Sequence, residues 1–245
     1  MKKFAILALA AVMVIALTVP AAALENEFGG YWRTRMFTQG HFDGEKPDDT
    51  NLRRVDTRTR LYYTAKINDN LKFVNKFEMD AVFGEQGGYG DYGADGVSVE
   101  VKNSYADFNT GPLEWKLGVF GSAIGRSLVF DNDHAGAEVV YRGGSENWWL
   151  RGRWIKPYEA GTGNTNKKDY DAVSLEASVN LGEAGSIRPY GVYSWSKRFQ
   201  GAGAITGVSR LPDGNDADIY WLGLDTDLTL GSVALYGSIA SSLGT

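Results

Sequence analysis

Two adjacent stretches, 54–67 and 71–83, alternate between charged or polar and largely apolar sides, and that period of two limits what they can become. In the first, Val55, Thr57, Thr59, Leu61, Tyr63, Ala65 and Ile67 share one side, and none is charged. Arg54, Asp56, Arg58, Arg60, Tyr62, Thr64 and Lys66 share the other, and five of these seven are charged. Successive residues of a strand point to opposite faces, so the spacing predicts a strand with one dry and one wet face. In the second stretch Leu71, Phe73, Phe77, Met79, Ala81 and Phe83 share a side with one polar member, Asn75. Lys72, Lys76, Glu78 and Asp80 lie opposite. Only Asn68, Asp69 and Asn70 separate the runs, and residues of that kind turn a chain tightly, so the two strands form a hairpin.

The same reading predicts strands at 29–38, 54–67, 71–83, 97–108, 113–120, 135–142, 148–155, 170–181, 187–196, 218–229 and 232–240. The fourth should contain a bulge, because Val97, Val99 and Val101 are out of phase with Ala106 and Phe108. The connections alternate in length. Long ones follow strands one, three, five, seven and nine, and the fifth of the strands is followed by Gly121–His134. Short ones follow strands two, four, six, eight and ten. Membrane barrels show this asymmetry, with short turns at one rim and longer loops at the other.

The first residues set the compartment. Lys2 and Lys3 precede sixteen residues without a charge, Phe4 to Val19, and then Pro20 and three alanines. That pattern predicts a secretory signal peptide over 1–23, cleaved after Ala23. The uncharged stretch is shorter than the roughly 20 residues of a spanning helix. The net charge of −5 becomes more acidic once the leader lysines are gone, which argues against a general nucleic-acid binder. The chain has no cysteine, which excludes thiolate metal sites and covalently attached haem. No later segment is apolar and long enough for a transmembrane helix, so residues 24–245 enter a membrane only as a barrel.

Alternation alone leaves open which face meets water, since a soluble sandwich buries its apolar face and a membrane barrel shows it to lipid. Run length favours the barrel. The longest runs reach 12 to 14 residues, against about 5–6 for a soluble strand and about 9–11 for a tilted membrane strand. Aromatic residues gather at strand ends: Phe73, Tyr105, Trp115 and Trp148 near short turns, and Phe37, Phe83, Trp154 and Trp195 near long loops. Interfacial girdles are built that way. The expected fold is therefore all-β, an antiparallel transmembrane β-barrel. A secreted soluble β-protein is the alternative.

The stretches RTRLYYTAKINDNLKFVNKFEMD (58–80), YADFNTGPLEWKLGVFG (105–121) and FDNDHAG (130–136) resemble Gram-negative porins and porin-like channels, including general, phosphate-selective and alginate-export types. The resemblance implies an outer-membrane location and passive diffusion of small hydrophilic solutes, with lipid around the barrel and no cofactor. It implies a homotrimer or a monomer, since both occur in the group. Barrels of this kind have even strand numbers and end on an aromatic residue. Eleven predicted strands and the ending Gly-Ser-Ile-Ala-Ser-Ser-Leu-Gly-Thr depart from that pattern. Residues 24–245 are therefore expected to be the N-terminal part of a barrel of about 16–18 strands.

On this reading the lumen carries Arg33, Arg35, Arg54, Arg58, Arg60, Lys66, Lys72, Lys76, Arg151 and Arg153, with the acids Asp56, Glu78 and Asp80. Rows of arginine and lysine favour anionic solutes, and the rival expectation is that they merely pair with lumenal carboxylates. By resemblance, Gly121–His134 is the connection that folds into a pore, which makes Arg126, Asp131 and Asp133 candidate constriction residues opposite the basic wall; an ordinary external loop is the alternative. Asp131, Asp133 and Gly136 match the start of a calcium loop, but Ala135 and Arg142 occupy ligand positions, so no metal is assigned. The two histidines, His41 and His134, fall in predicted loops, and no G-x-S-x-G is present, so no enzyme is expected. A barrel sheathing an electron-transfer partner is the remaining non-channel alternative.

Overall fold

The computed structural model describes residues 25–40, 52–88, 90–93, 99–144, 147–159, 169–197 and 217–244. The leader expected over 1–23, and His41, lie outside them. Eleven strands form: β1 (Glu25–Gln39), β2 (Leu52–Asn68), β3 (Leu71–Val82), β4 (Glu100–Thr110), β5 (Leu113–Ile124), β6 (Phe130–Tyr141), β7 (Trp148–Tyr158), β8 (Tyr170–Asn180), β9 (Gly185–Ser196), β10 (Ala217–Leu230) and β11 (Val233–Gly244). Each pairs antiparallel with the next, in one sheet whose order is the order of the sequence, with β1 and β11 at its edges. A short 3₁₀ turn, Gly182–Ala184, joins β8 to β9.

Residues directly opposite one another on paired strands share a face, so the register shows what each face is made of. One row runs Ala65, Phe73, Ala106, Leu117, Ala137, Trp154, Val173, Tyr193, Tyr220, Leu243, from β2 to β11, without a charge. On the other face a row begins Glu25, Lys66, Lys72, Asp107, Lys116, Glu138, Arg153, every member charged, and ends Ser174, Val192, Trp221, Ser242.

Burial is inverted relative to a protein dissolved in water. Leu117, Leu175 and Leu222 are 55%, 62% and 66% exposed, while Glu78, Glu138 and Arg153 are 4%, 6% and 6% exposed. Charged residues are almost never buried unless paired, and large apolar faces are not left open to water. A soluble sandwich would need a second layer over the apolar face, and the described residues form a single layer.

A strand of 12 residues such as β5 is about 40 Å long at about 3.3 Å per residue. Tilted by about 45°, it spans about 28 Å, close to the apolar thickness of a bilayer. Aromatic rings mark both rims of the apolar face. Phe108 stacks on Trp115 at 6.2 Å and Tyr141 meets Trp148 at 5.6 Å near the short turns. Tyr193 stacks on Trp195 at 5.2 Å and on Tyr220 at 4.6 Å near the long connections.

The expected bulge is present. Lys76 pairs with Asn103 and Phe77 with Val101, leaving Lys102 as the extra residue of β4. The connection expected at Gly121–His134 is corrected. β5 continues to Ile124 and β6 begins at Phe130, so only a turn at 125–129 separates them, and His134 sits in a strand. Glycines and carboxylates make this stretch look like a loop, whereas pairing between its two arms and docking of its tip make it a hairpin.

Candidate functional site

The β5–β6 hairpin is longer than the wall that carries it. Its own register is continuous from Leu113↔Tyr141 to Ile124↔Phe130. The pairing of β5 with β4 stops at Val119, and that of β6 with β7 stops at Ala135. Beyond those points the hairpin has left the sheet. Gly118 and Gly136 face each other at the departure point. A Cβ at Gly118, where φ is +134°, would lie 2.4 Å from Ser104 O, and one at Gly136 would lie 2.0 Å from Trp154 O. The neighbouring backbones close in on both positions, so only glycine fits there.

The free end crosses the charged face and is fastened at both sides. Near its root, Asn103 Nδ2 donates to Asp133 Oδ1 at 2.8 Å, and Lys102 Nζ stands 3.4 Å from Asp133 Oδ2. The bulge gives two consecutive residues access to one carboxylate. At the tip, Arg126 donates to Thr226 O at 3.1 Å and to the Asp227 carboxylate, both on β10. Contact between a turn after β5 and strand β10 requires the sheet to curl, with the charged face inward. Ile124, Val129 and Phe130 are 1% exposed, in one buried cluster with Ile155, Tyr170, Ala172, Tyr190, Val192, Ala217, Ile219 and Trp221 from the inner faces of β7–β10. Between the arms, the His134 ring lies 4.6 Å from Phe120 and 5.4 Å from Phe130. Nδ1 of His134 faces Ala135 O at 3.1 Å and so carries the proton, which leaves Nε2 to accept from Ser122 Oγ at 2.8 Å.

Of the three candidate constriction residues, Asp133 meets Lys102 of the wall and Arg126 meets Asp227. Asp131, opposite Ala123, is exposed and makes no ion pair among the described residues. The stretch 130–136 is extended strand rather than the tight loop a calcium site would need.

The predicted lumen charges do lie on one face, and they are extensively paired. Asp56 collects three arginines: Arg35 in a two-pronged contact at 3.0 and 2.8 Å, Arg54 at 3.8 Å and Arg33 at 3.9 Å. Arg58 holds Asp80 at 2.8 and 2.5 Å and reaches Glu78 at 3.3 Å, while Arg60 also binds Glu78. Lys66 pairs with Glu25 at 3.4 Å and with Glu27, and Lys72 pairs with Asp107 at 3.3 Å. Arg151 and Arg153 share Glu138 and Glu176, at 3.5 and 3.2 Å for Arg151 and 2.7 and 2.8 Å for Arg153. Lys76 differs. Its ammonium lies 5.3 Å from the centre of the Tyr62 ring and has no carboxylate within 4.0 Å among the described residues.

Sequence reasoning passed over Lys102, Lys116, Glu138, Glu176, Arg188, Asp225 and Asp227. Parity along β5–β10 puts Lys116, Glu138, Glu176, Arg188, Asp225 and Asp227 on the same face as Arg151 and Arg153. Lys102, in the bulge, has no parity to follow.

No protein-family model and no curated protein matches the chain. Among solved structures it is similar to OccD3 (OpdP) of Pseudomonas aeruginosa, with 15% identity over 92% of this chain and a TM-score of 0.49. The chain spans half the length of that protein, 50%. It is also similar to a mutant Rh. blastica porin, with 12% identity over 90% of this chain and 98% of that one and a TM-score of 0.37. A trimer form of OmpT from Vibrio cholerae matches with 12% identity over 91% and 89% and a TM-score of 0.27. The architecture stands on the chain's own geometry, which is that of a porin-like β-barrel wall: eleven consecutive antiparallel strands, an apolar outer face and a charged inner face crossed by a hairpin.

Proposed function

We propose that this chain builds the wall of an outer-membrane channel for small hydrophilic solutes, narrowed by its own hairpin and favouring anions. The observation that carries the reading is the hairpin itself. It leaves the wall at Val119 and Ala135 and reaches β10 across a face of buried charges. A soluble protein gains nothing from an apolar outside and a charged inside, whereas a solute path through lipid requires that arrangement. The Ser122–His134 contact ties two arms of the hairpin, and its histidine is oriented by a carbonyl rather than a carboxylate, which favours a channel over a hydrolase.

Anion preference rests on what pairing leaves over on β1–β3, apart from Asp131 of the hairpin and Asp225 of β10, which are unpaired among the described residues. Three arginines share the single carboxylate of Asp56, and Lys76 has none. Charges in a narrow, poorly screened path act over longer distances than charges on an open surface. With the complete protein reconstituted in planar bilayers under a salt gradient, the reversal potential should report a preference for anions. Lys76→Glu combined with Arg54→Glu should move it toward cations. A cation preference in the unmodified protein overturns the anion assignment, and a complete, folded protein that never conducts overturns the channel.

A further inference from the structure

Beneath the hairpin tip lies a cavity of about 200 Å³, room for roughly seven waters at about 30 Å³ each. Trp149, Arg151, Glu176, Arg188, Tyr190 and Asp225 line it, with the tip at Arg126 above them. Three arginines and two carboxylates line it, and they do not all pair with one another. Arg126 and Arg188 both bind Asp227, the latter at 2.9 Å, although Arg188 is the cross-strand neighbour of Asp225. Asp225 is thereby left over. It is only 7% exposed, and its Oδ1 is buried and accepts no hydrogen bond among the described residues.

A second group has the opposite need. The Arg151 guanidinium lies 4.5 Å from the centre of the Trp149 ring and uses Nη1 for Glu176 at 3.2 Å. Its Nε is buried and donates no hydrogen bond, with Glu138 Oε2 no nearer than 3.5 Å. A buried polar atom without a partner is costly, and more so when its group is charged. One cavity is therefore lined by a carboxylate with no ion pair among the described residues and by an arginine whose two pairs, with Glu176 at 3.2 Å and Glu138 at 3.5 Å, leave its guanidinium short of hydrogen bonds. A simple anion would leave Asp225 unanswered, and a simple cation would be repelled by three arginines.

We infer that this cavity is a subsite for a small zwitterionic solute, its ammonium on Asp225 and its carboxylate on Arg151. The aromatic faces of Trp149 and Tyr190 flank the short apolar part between them. The inference rests on reading the inner face as the solute-facing one, but binding does not require the chain to conduct.

The test uses the full chain folded in detergent micelles and ligand-observed saturation-transfer NMR with three probes at equal concentration: L-alanine, propionate and ethylamine. L-alanine should receive saturation, and the two singly charged probes should receive far less. Asp225→Asn, which keeps shape and removes charge, should weaken L-alanine binding by about tenfold or more, the scale of one charge-assisted hydrogen bond. Equal signals from propionate or ethylamine, or no signal from L-alanine, overturn the subsite, and these comparisons need no variant. Retained L-alanine binding in folded Asp225→Asn overturns it as well. Binding by a chain that never conducts sinks the channel reading alone; conduction without binding sinks the subsite alone.

Discussion

Replacing Ser122–Asn132 with an Asn-Gly turn, so that Gly121 joins Asp133 through a two-residue reverse turn, should raise single-channel conductance several-fold while the chain still folds. Gly121 and Asp133 are register partners, so the shortened hairpin keeps its ladder and loses only the part that crosses the inner face. Point substitutions should divide by how the tip is held. Arg126 and Asp227 form an ion pair whose side chains are 32% and 46% exposed, and pairs that open to water contribute less than about 1 kcal/mol. Ile124, Val129 and Phe130 are fully buried, and each such side chain contributes about 1.5–3 kcal/mol. Burial therefore dominates. Phe130→Ala, at about 3–5 kcal/mol, should undock the tip and reproduce much of the conductance gain. Arg126→Gln should add only brief fluctuations. Unchanged conductance after the excision would mean that the hairpin does not narrow the path.

Leu175→Arg should destabilise folding into lipid vesicles by about 2–4 kcal/mol, as charged substitutions do on the lipid face of a barrel near the bilayer midplane. Leu175 is the middle residue of β8 and is 62% exposed. At an equally exposed position of a protein in water, such a change falls within about 0.5 kcal/mol. The two readings of the apolar face thus differ by more than the error of a urea titration. A change below about 0.5 kcal/mol would assign that face to water.

How much of this was legible in the sequence follows from the kind of face each strand presents. From Arg54 onward β2 and β3 keep every charge on one side, so parity alone sorts Arg58, Arg60, Lys72, Lys76 and Glu78 onto it. β10 reads differently, because Ala217, Ile219 and Trp221 face inward while Tyr220 and Leu222 face outward. Apolar residues on both faces hide the parity, and the reason is tertiary: the inner ones form the cradle for the hairpin tip. The hairpin was misread on the same grounds. Gly121 and Gly136, with Asp131, Asn132 and Asp133, have the composition of a loop, and only the docking of Ile124, Val129 and Phe130 about five strands away makes them extended. The ion pairs were partly foreseeable. That arginines would sit inside followed from spacing, whereas the convergence of Arg33, Arg35 and Arg54 on Asp56 depends on cross-strand register.

The central claim is that the uncharged face meets lipid and the charged face meets water. The chain has no cysteine of its own, so single cysteines carrying a fluorophore report one position each. Lys76→Cys and Phe77→Cys are neighbours on β3 with opposite facing, and Leu175→Cys gives a second outward position. In vesicles, a lipid-borne nitroxide should quench the label at Phe77→Cys and Leu175→Cys, and iodide in the aqueous phase should quench it at Lys76→Cys. Iodide reaching the Phe77→Cys and Leu175→Cys labels, with lipid quenching none of the three, would contradict the account.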